Sequence, residues 1–181
     1  SALLRNKRNE PSYARGTYTF WGWVRDSFAE NKPFDQFARE VLTASGDITH
    51  TPAVAWYRQF KEANLQMEDV AQLFLGTRLQ CAQCHHHPYE KWSQRDYYAL
   101  TAFFSNVEHK PSGLPGEEVI VSKRADAFTL HKKTKEQVKP AALGAKEPPL
   151  TPDDDPRQAL ADWMMSGKNP FFAKTLVNRY W

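Results

Sequence analysis

Both cysteines of this chain and half of its six histidines fall in one short run, LQCAQCHHHPYEKW, from Leu79 to Trp92. Any fold must hold that run where its soft ligands can act, and the flanking sequence shows how. Upstream, Met67, Val70, Ala71, Phe74 and Leu75 recur at helical spacing, with Asn64 as the expected cap and Gly76 as the stop. Downstream, SQRDYYALTAFFSNV opens with Ser93 three residues before Asp96, the pattern of a capping box. It then turns Tyr97, Leu100, Phe103 and Phe104 to one side. The cluster is therefore expected on a connection between two amphipathic helices that clamp it.

The rest of the chain predicts a mainly α fold, with short helices around the C-x-x-C-H connection and a small β-hairpin insertion. Residues 1–16 read as loop. Thr17–Asn31 has helical spacing, with Phe20, Trp21, Val24 and Phe28 on one face. In NKPFDQFAREVLTASG, Pro33 suits the first helical position, Phe34, Phe37, Val41 and Leu42 form a stripe, and Gly46 ends it. His50–Phe60 fits a short helix or an extended piece equally.

Beyond His109 the composition shifts to Pro, Gly and Lys. Glu118–Ser122 and Ala127–His131 read as two short strands, paired around Arg124–Asp126. KEPPLTPDDDP is linker-like. Asp155 then caps a helix with Pro156 at its first position, Gly167 ends it, and Asn169-Pro170 starts a last helix carrying Phe171, Leu176 and Val177. Trp163 with Leu160, and Trp181 with Val177, read as helix core. These shifts divide the chain into a helical domain over 1–110, an insertion and linker over 111–154, and the helical start of a following domain over 155–181. The charged beginning and the abrupt end at Trp181 give it the look of a piece of a longer protein.

Charge excludes little but helps. With 24 basic and 21 acidic residues the net charge is +3, and the basic residues are scattered, so no nucleic-acid surface is expected. The densest group, Lys132, Lys133 and Lys135, reads as a solvated face. No apolar run nears the ~20 residues that span a bilayer. Aromatics are 13% of the chain, enough to wall a large flat ligand as well as a core.

Three chemistries compete for the cluster. Cys81-Ala82-Gln83-Cys84-His85 is the attachment pattern of haem c: two thiols on one turn reach the vinyl groups of one porphyrin, and His85 reaches the iron. The distal ligand is open, with Met67, Met164, Met165, His109 and His131 as candidates. Alternatively Cys81, Cys84, His85 and His87 form a Cys₂His₂ set for zinc or iron, although four ligands within seven residues strain a tetrahedron. A site of Cys81, Cys84 and His87 with one ligand from elsewhere is easier to build. His86 is expected to face solvent in either case. The third chemistry is a Cys81–Cys84 disulfide or a plain thiol pair, without the βαβ context of a redox-active one. No phosphate loop, G-x-S-x-G or H-E-x-x-H is present.

Three long stretches carry a resemblance: NKPFDQFAREVLTASG, FLGTRLQCAQCHHHPYEKWSQRDYYALTAFFSNV and DPRQALADWMMSGKNPFFAKTLVNRYW. Together they resemble a family of large secreted proteins, abundant in planctomycetes and verrucomicrobia, that pairs two domains of unknown function. These often follow a planctomycete-type cytochrome c domain. This chain looks like the C-terminal half of the first unknown domain and the start of the second. The resemblance implies that Cys81, Cys84, His85 and His87 match the family's C-x-x-C-H-x-H segment, with His86 at the variable position, and that Asp96, Tyr97 and Tyr98 match its D-Y-Y. It implies a periplasmic or cell-surface location, which suits haem attachment and a disulfide alike. The expected role is an electron-transfer module, more electron carrier or binding module than enzyme. Its partner is a redox protein or the attached cytochrome c domain of the parent chain. The alternative is a metal-stabilised structural or binding module. A part in surface polysaccharide degradation comes last, since no paired-carboxylate site is visible.

Overall fold

The computed structural model describes residues 14–180. The loop expected over 1–16 lies outside the described residues except at its end, which is already helical. Trp181 lies outside them too. The architecture is mainly helical: α1 (Ala14–Ala29), α2 (Phe34–Leu42), α3 (Ala63–Phe74), α4 (Gln94–Thr101), α5 (Pro156–Met165) and α6 (Phe172–Tyr180). Short 3₁₀ turns at Pro52–Gln59, Gln80–Gln83 and Ala102–Phe104 join them. Four short strands, β1 (Val107–Pro111), β2 (Glu118–Ser122), β3 (Thr129–Leu130) and β4 (Gln137–Val138), make two antiparallel pairs. No helix among the described residues is long and apolar enough to cross a membrane.

The chain forms two compact units. The first runs to Lys61 and takes in Val107–Ser122; the second comprises Glu62–Asn106 and everything from Lys123 on. The compositional shift at His109 thus falls inside β1.

In the first unit α1 buries Gly16, Thr17, Phe20 and Ser27. The expected face holds at Phe20 but not at Trp21 or Phe28, which are 56% and 66% exposed. Aromatics surround this helix, so periodicity alone cannot choose a side. Close approach chooses it. Gly16 donates its N–H to Glu117 at 3.0 Å, and a Cβ there would sit 2.5 Å from the same carboxylate. Glu117 also meets Arg58 at 3.3 Å, both side chains almost wholly buried. Trp23 stacks on Phe37 of α2 at 4.7 Å. Pro33 is the N-cap of α2, one residue before its expected place. The ambiguous His50–Phe60 resolves to the 3₁₀ turn, with Trp56 and Tyr57 fully buried.

The expected hairpin around Arg124–Asp126 is also corrected. β2 pairs with β1, in register Val107↔Ser122 through Pro111↔Glu118, and β3 pairs with β4. Glu108, Lys110 and Pro111 disguise β1 as loop, although a strand tolerates proline at its edge.

In the second unit α3 buries Met67, Val70, Ala71 and Phe74, and Leu75 follows them inside. They pack with Tyr97, Leu100, Phe103 and Phe104, all nearly inaccessible. Each such side chain stabilises the unit by roughly 1.5–3 kcal/mol. The capping box of α4 is present in both directions: Asp96 donates its N–H to Ser93 Oγ at 3.2 Å, and Ser93 donates its N–H to Asp96 Oδ2 at 2.7 Å. Asp155 caps α5 through the Arg157 N–H at 3.1 Å. Asn169 Oδ1 takes the N–H of Phe171 and of Phe172 at 2.8 and 3.0 Å, starting α6. Asn64 does not cap α3; Glu62 holds that position, and the Asn64 side chain serves the Tyr97 hydroxyl. Leu160 is buried as expected, whereas Val177 is 62% exposed.

Candidate functional site

Gly76 sets up the cluster. Its φ of +66° lies in the left-handed region that glycine enters freely, so the chain can turn off α3. Thr77 closes the turn, donating its N–H to Ala71 at 3.1 Å. The chain then buries Leu79 completely and winds into the 3₁₀ turn Gln80–Gln83. A 3₁₀ turn eclipses residues three apart. Ala82 faces inward with no exposure, and Cys81 and Cys84 share the outer side as free, exposed thiols.

α4 holds this turn by one backbone carbonyl. Gln83 O accepts from Gln94 Nε2 at 2.9 Å and from the Tyr98 hydroxyl at 3.2 Å. Burial pushes the Tyr98 hydroxyl above its ordinary range, a hydrogen bond with the Lys132 backbone works against this, and the charge of Cys84 adds to it. Tyr98 thus stays a donor. Sequence reading missed both clamps. Their signal was the i, i+4 spacing of two polar heads on one face of α4.

The histidines differ in what their rings do. His85 Nδ1 lies 2.5 Å from the His86 carbonyl oxygen. A carbonyl only accepts, so Nδ1 carries the proton and the lone pair sits on Nε2. His85 is exposed, and Nε2 has no partner among the described residues. His87 uses both nitrogens: Nε2 donates to the Arg78 carbonyl at 2.9 Å, and Nδ1 accepts the Tyr89 N–H at 3.3 Å. Its backbone N–H reaches Trp92 O at 2.9 Å, closing the loop above a Trp92 side chain that is only 5% exposed. His86 is exposed. Among the described residues no three His, Cys, Asp or Glu side chains gather to hold a metal ion.

The distal candidates are occupied elsewhere. Met67 and Met164 are core, with 0% and 1% exposure, and Met165 is half-buried. His109 pairs with Glu118 across the first unit's strands at 2.9 Å. His131 Nδ1 accepts from the Lys133 and Thr134 N–H groups at 3.3 and 3.2 Å, and its ring leans on Tyr98.

Fold and site together define a helical protein that displays two exposed thiols on one turn and, beside them, a His85 imidazole whose Nε2 is unengaged among the described residues. A family model for PSCyt2, protein of unknown function (DUF1549), matches residues 3–109, which include the whole cluster. The chain belongs to that family, a domain associated with planctomycete-type cytochrome c. No curated protein and no solved structure matches it.

Proposed function

We propose that this chain is a haem c attachment module serving electron transfer in a larger exported protein. One observation carries the reading. Cys81, Cys84 and His85 are all exposed on one short connection, with Nε2 of His85 unengaged, while the backbone engages both ring nitrogens of His87. This favours the three-residue set over the four-ligand one. Cys81 and Cys84 would hold the porphyrin by thioethers, each S–H adding across a vinyl double bond, and His85 would ligate the iron. The His86 carbonyl would keep that imidazole oriented and basic. The group itself supplies a one-electron centre when bound. Nothing in the donor set opposes it: the thiols are free and Tyr89, 92% exposed, adds an aromatic surface in the same loop.

The zinc or iron alternative, with Cys81, Cys84, His85 and His87, requires His87 to give up one ring contact, the Tyr89 N–H at Nδ1, while Nε2 keeps the Arg78 carbonyl. On the haem reading the protein works in the periplasm or at the cell surface, and its partner is a redox protein or a cytochrome c domain of the parent chain. Residues 155–181 would then begin the family's second unknown domain.

The test is a visible spectrum with elemental analysis on protein exported alongside haem-attachment machinery. A Soret band that survives acid–acetone extraction and vanishes in Cys81→Ala/Cys84→Ala supports the proposal. A colourless protein from such a host overturns it, and about one zinc or iron per chain in that sample transfers the site to the metal reading.

A further inference from the structure

The carboxyl end of α3 and one face of α6 line an open groove of about 450 Å³ in the second unit. That volume lies in the range of small-molecule sites. Arg78, Lys174 and Arg179 all line it, and no carboxylate does. Like charges sharing one groove repel unless something offsets them.

The carboxyl end of a helix is one such offset. Arg179 has that role, donating from Nη2 to the Gln72 carbonyl at 3.0 Å. Arg78 and Lys174 do not: their side chains have no hydrogen bond or ion pair among the described residues. The groove's two threonine hydroxyls are also engaged, Thr77 with Leu75 O at 3.3 Å and Thr175 with Phe171 O at 2.9 Å. What the groove offers a ligand is therefore positive charge, with the Gln72 and Asn178 amides beside it.

Its walls are close by construction. A Cβ on Gly76 would lie 2.7 Å from Thr175 Oγ1, so glycine sets how near the α3 end comes to α6. Phe171 gives the groove an aromatic surface and is braced by Trp92 and Trp163, whose ring centroids lie 6.0 and 6.1 Å away. A carboxylate would neutralise one of the two cations, Arg78 and Lys174, that the helix end leaves without an offset. A phosphate monoester carries about −1.5 to −2 at pH 7 and presents three strong acceptors.

We infer that this groove binds the phosphate monoester of a small organic molecule, with Arg78 and Lys174 taking the phosphoryl oxygens, Arg179 adding positive charge from the helix end, and Phe171 taking the organic body. This site is separate from the thiol turn and does not rest on the haem reading.

Titration of the full 181-residue chain, followed by calorimetry and NMR at low salt, tests it. Phenyl phosphate should bind saturably. Arg78→Gln and Lys174→Gln should each weaken it about tenfold, the worth of one charge-assisted bond. Phenyl sulfate and benzoate, each with one charge, should bind at least that much more weakly, and added salt should weaken all three. Lys146→Gln removes an exposed charge away from the groove and should change nothing. Circular dichroism checks that each variant folds. No saturable binding at millimolar phenyl phosphate overturns the inference. Benzoate binding as tightly as phenyl phosphate, or Lys146→Gln weakening it equally, overturns it too.

Discussion

His85 and His87, two residues apart, hold opposite tautomers: His85 is protonated at Nδ1 against the His86 carbonyl, and His87 at Nε2 against the Arg78 carbonyl. The backbone thereby turns one imidazole into a ligand and the other into a brace. Replacing them should have separable effects. His87→Ala should cost about 1 kcal/mol, the net worth of a hydrogen bond, and lower Tm by about 2–4 °C. It should leave the Soret band of exported protein in place. His85→Ala should leave Tm of the haem-free protein within about 1 °C, as exposed substitutions do, and should alter the haem spectrum. Thermal melts and visible spectra of both variants decide this. A His87→Ala protein that loses its haem while staying folded would return His87 to the ligand set.

Gly76 should resist substitution. Gly76→Ala places a side chain at φ +66° and drives its Cβ toward Thr175 Oγ1. Strain of this kind costs about 1–3 kcal/mol. Urea denaturation should show that loss, and Thr175→Ala in the same chain should restore the part due to the clash. A neutral Gly76→Ala would refute the tight turn.

Asp155 does two jobs. It caps α5, and its carboxylate meets the fully buried Arg157 guanidinium at 2.6 Å. Asp155→Ala removes both, so it should destabilise the protein by about 3–5 kcal/mol, more than a cap alone. Asp153→Ala, two residues earlier and meeting only the exposed Arg124 at 3.8 Å, should cost well under 1 kcal/mol. Chemical denaturation of the pair measures the difference.

Asp47 supplies a pH signature. The His50 ring and the Thr49 N–H hold its carboxyl at about 2, against a usual 3.8. A carboxyl with a depressed folded pKa stabilises the fold above its unfolded value. This contribution is therefore complete above about pH 4 and fades as pH falls towards 2. NMR titration should find the Asp47 carboxyl near 2, and His50→Ala should raise it. A midpoint near 4 in the parent chain contradicts the geometry.

Local chemistry made the helix starts legible. The Ser93–Asp96 box and the Asp155-Pro156 cap each need only residues two or three apart, so sequence and structure agree on them. The apolar stripe of α3 was legible for the same reason, whereas α4 buries every residue from Tyr97 to Thr101, more than its periodicity announces. α1 was not legible, since aromatics ring it and its side was chosen by Gly16 meeting Glu117, a hundred residues on. β2 likewise took β1 rather than the segment after it, and nothing local in Glu108, Lys110 or Pro111 announces that pairing.

The sequence by itself determined that Cys81, Cys84 and His85 lie on a short connection between two helices, because the apolar periodicity on either side of them is local. Only the tertiary structure decided which histidine stays available, since that depends on carbonyls the fold brings to each ring. Only it placed Arg78 beside Lys174 and Arg179, because a charge nearly a hundred residues away becomes a neighbour through packing alone.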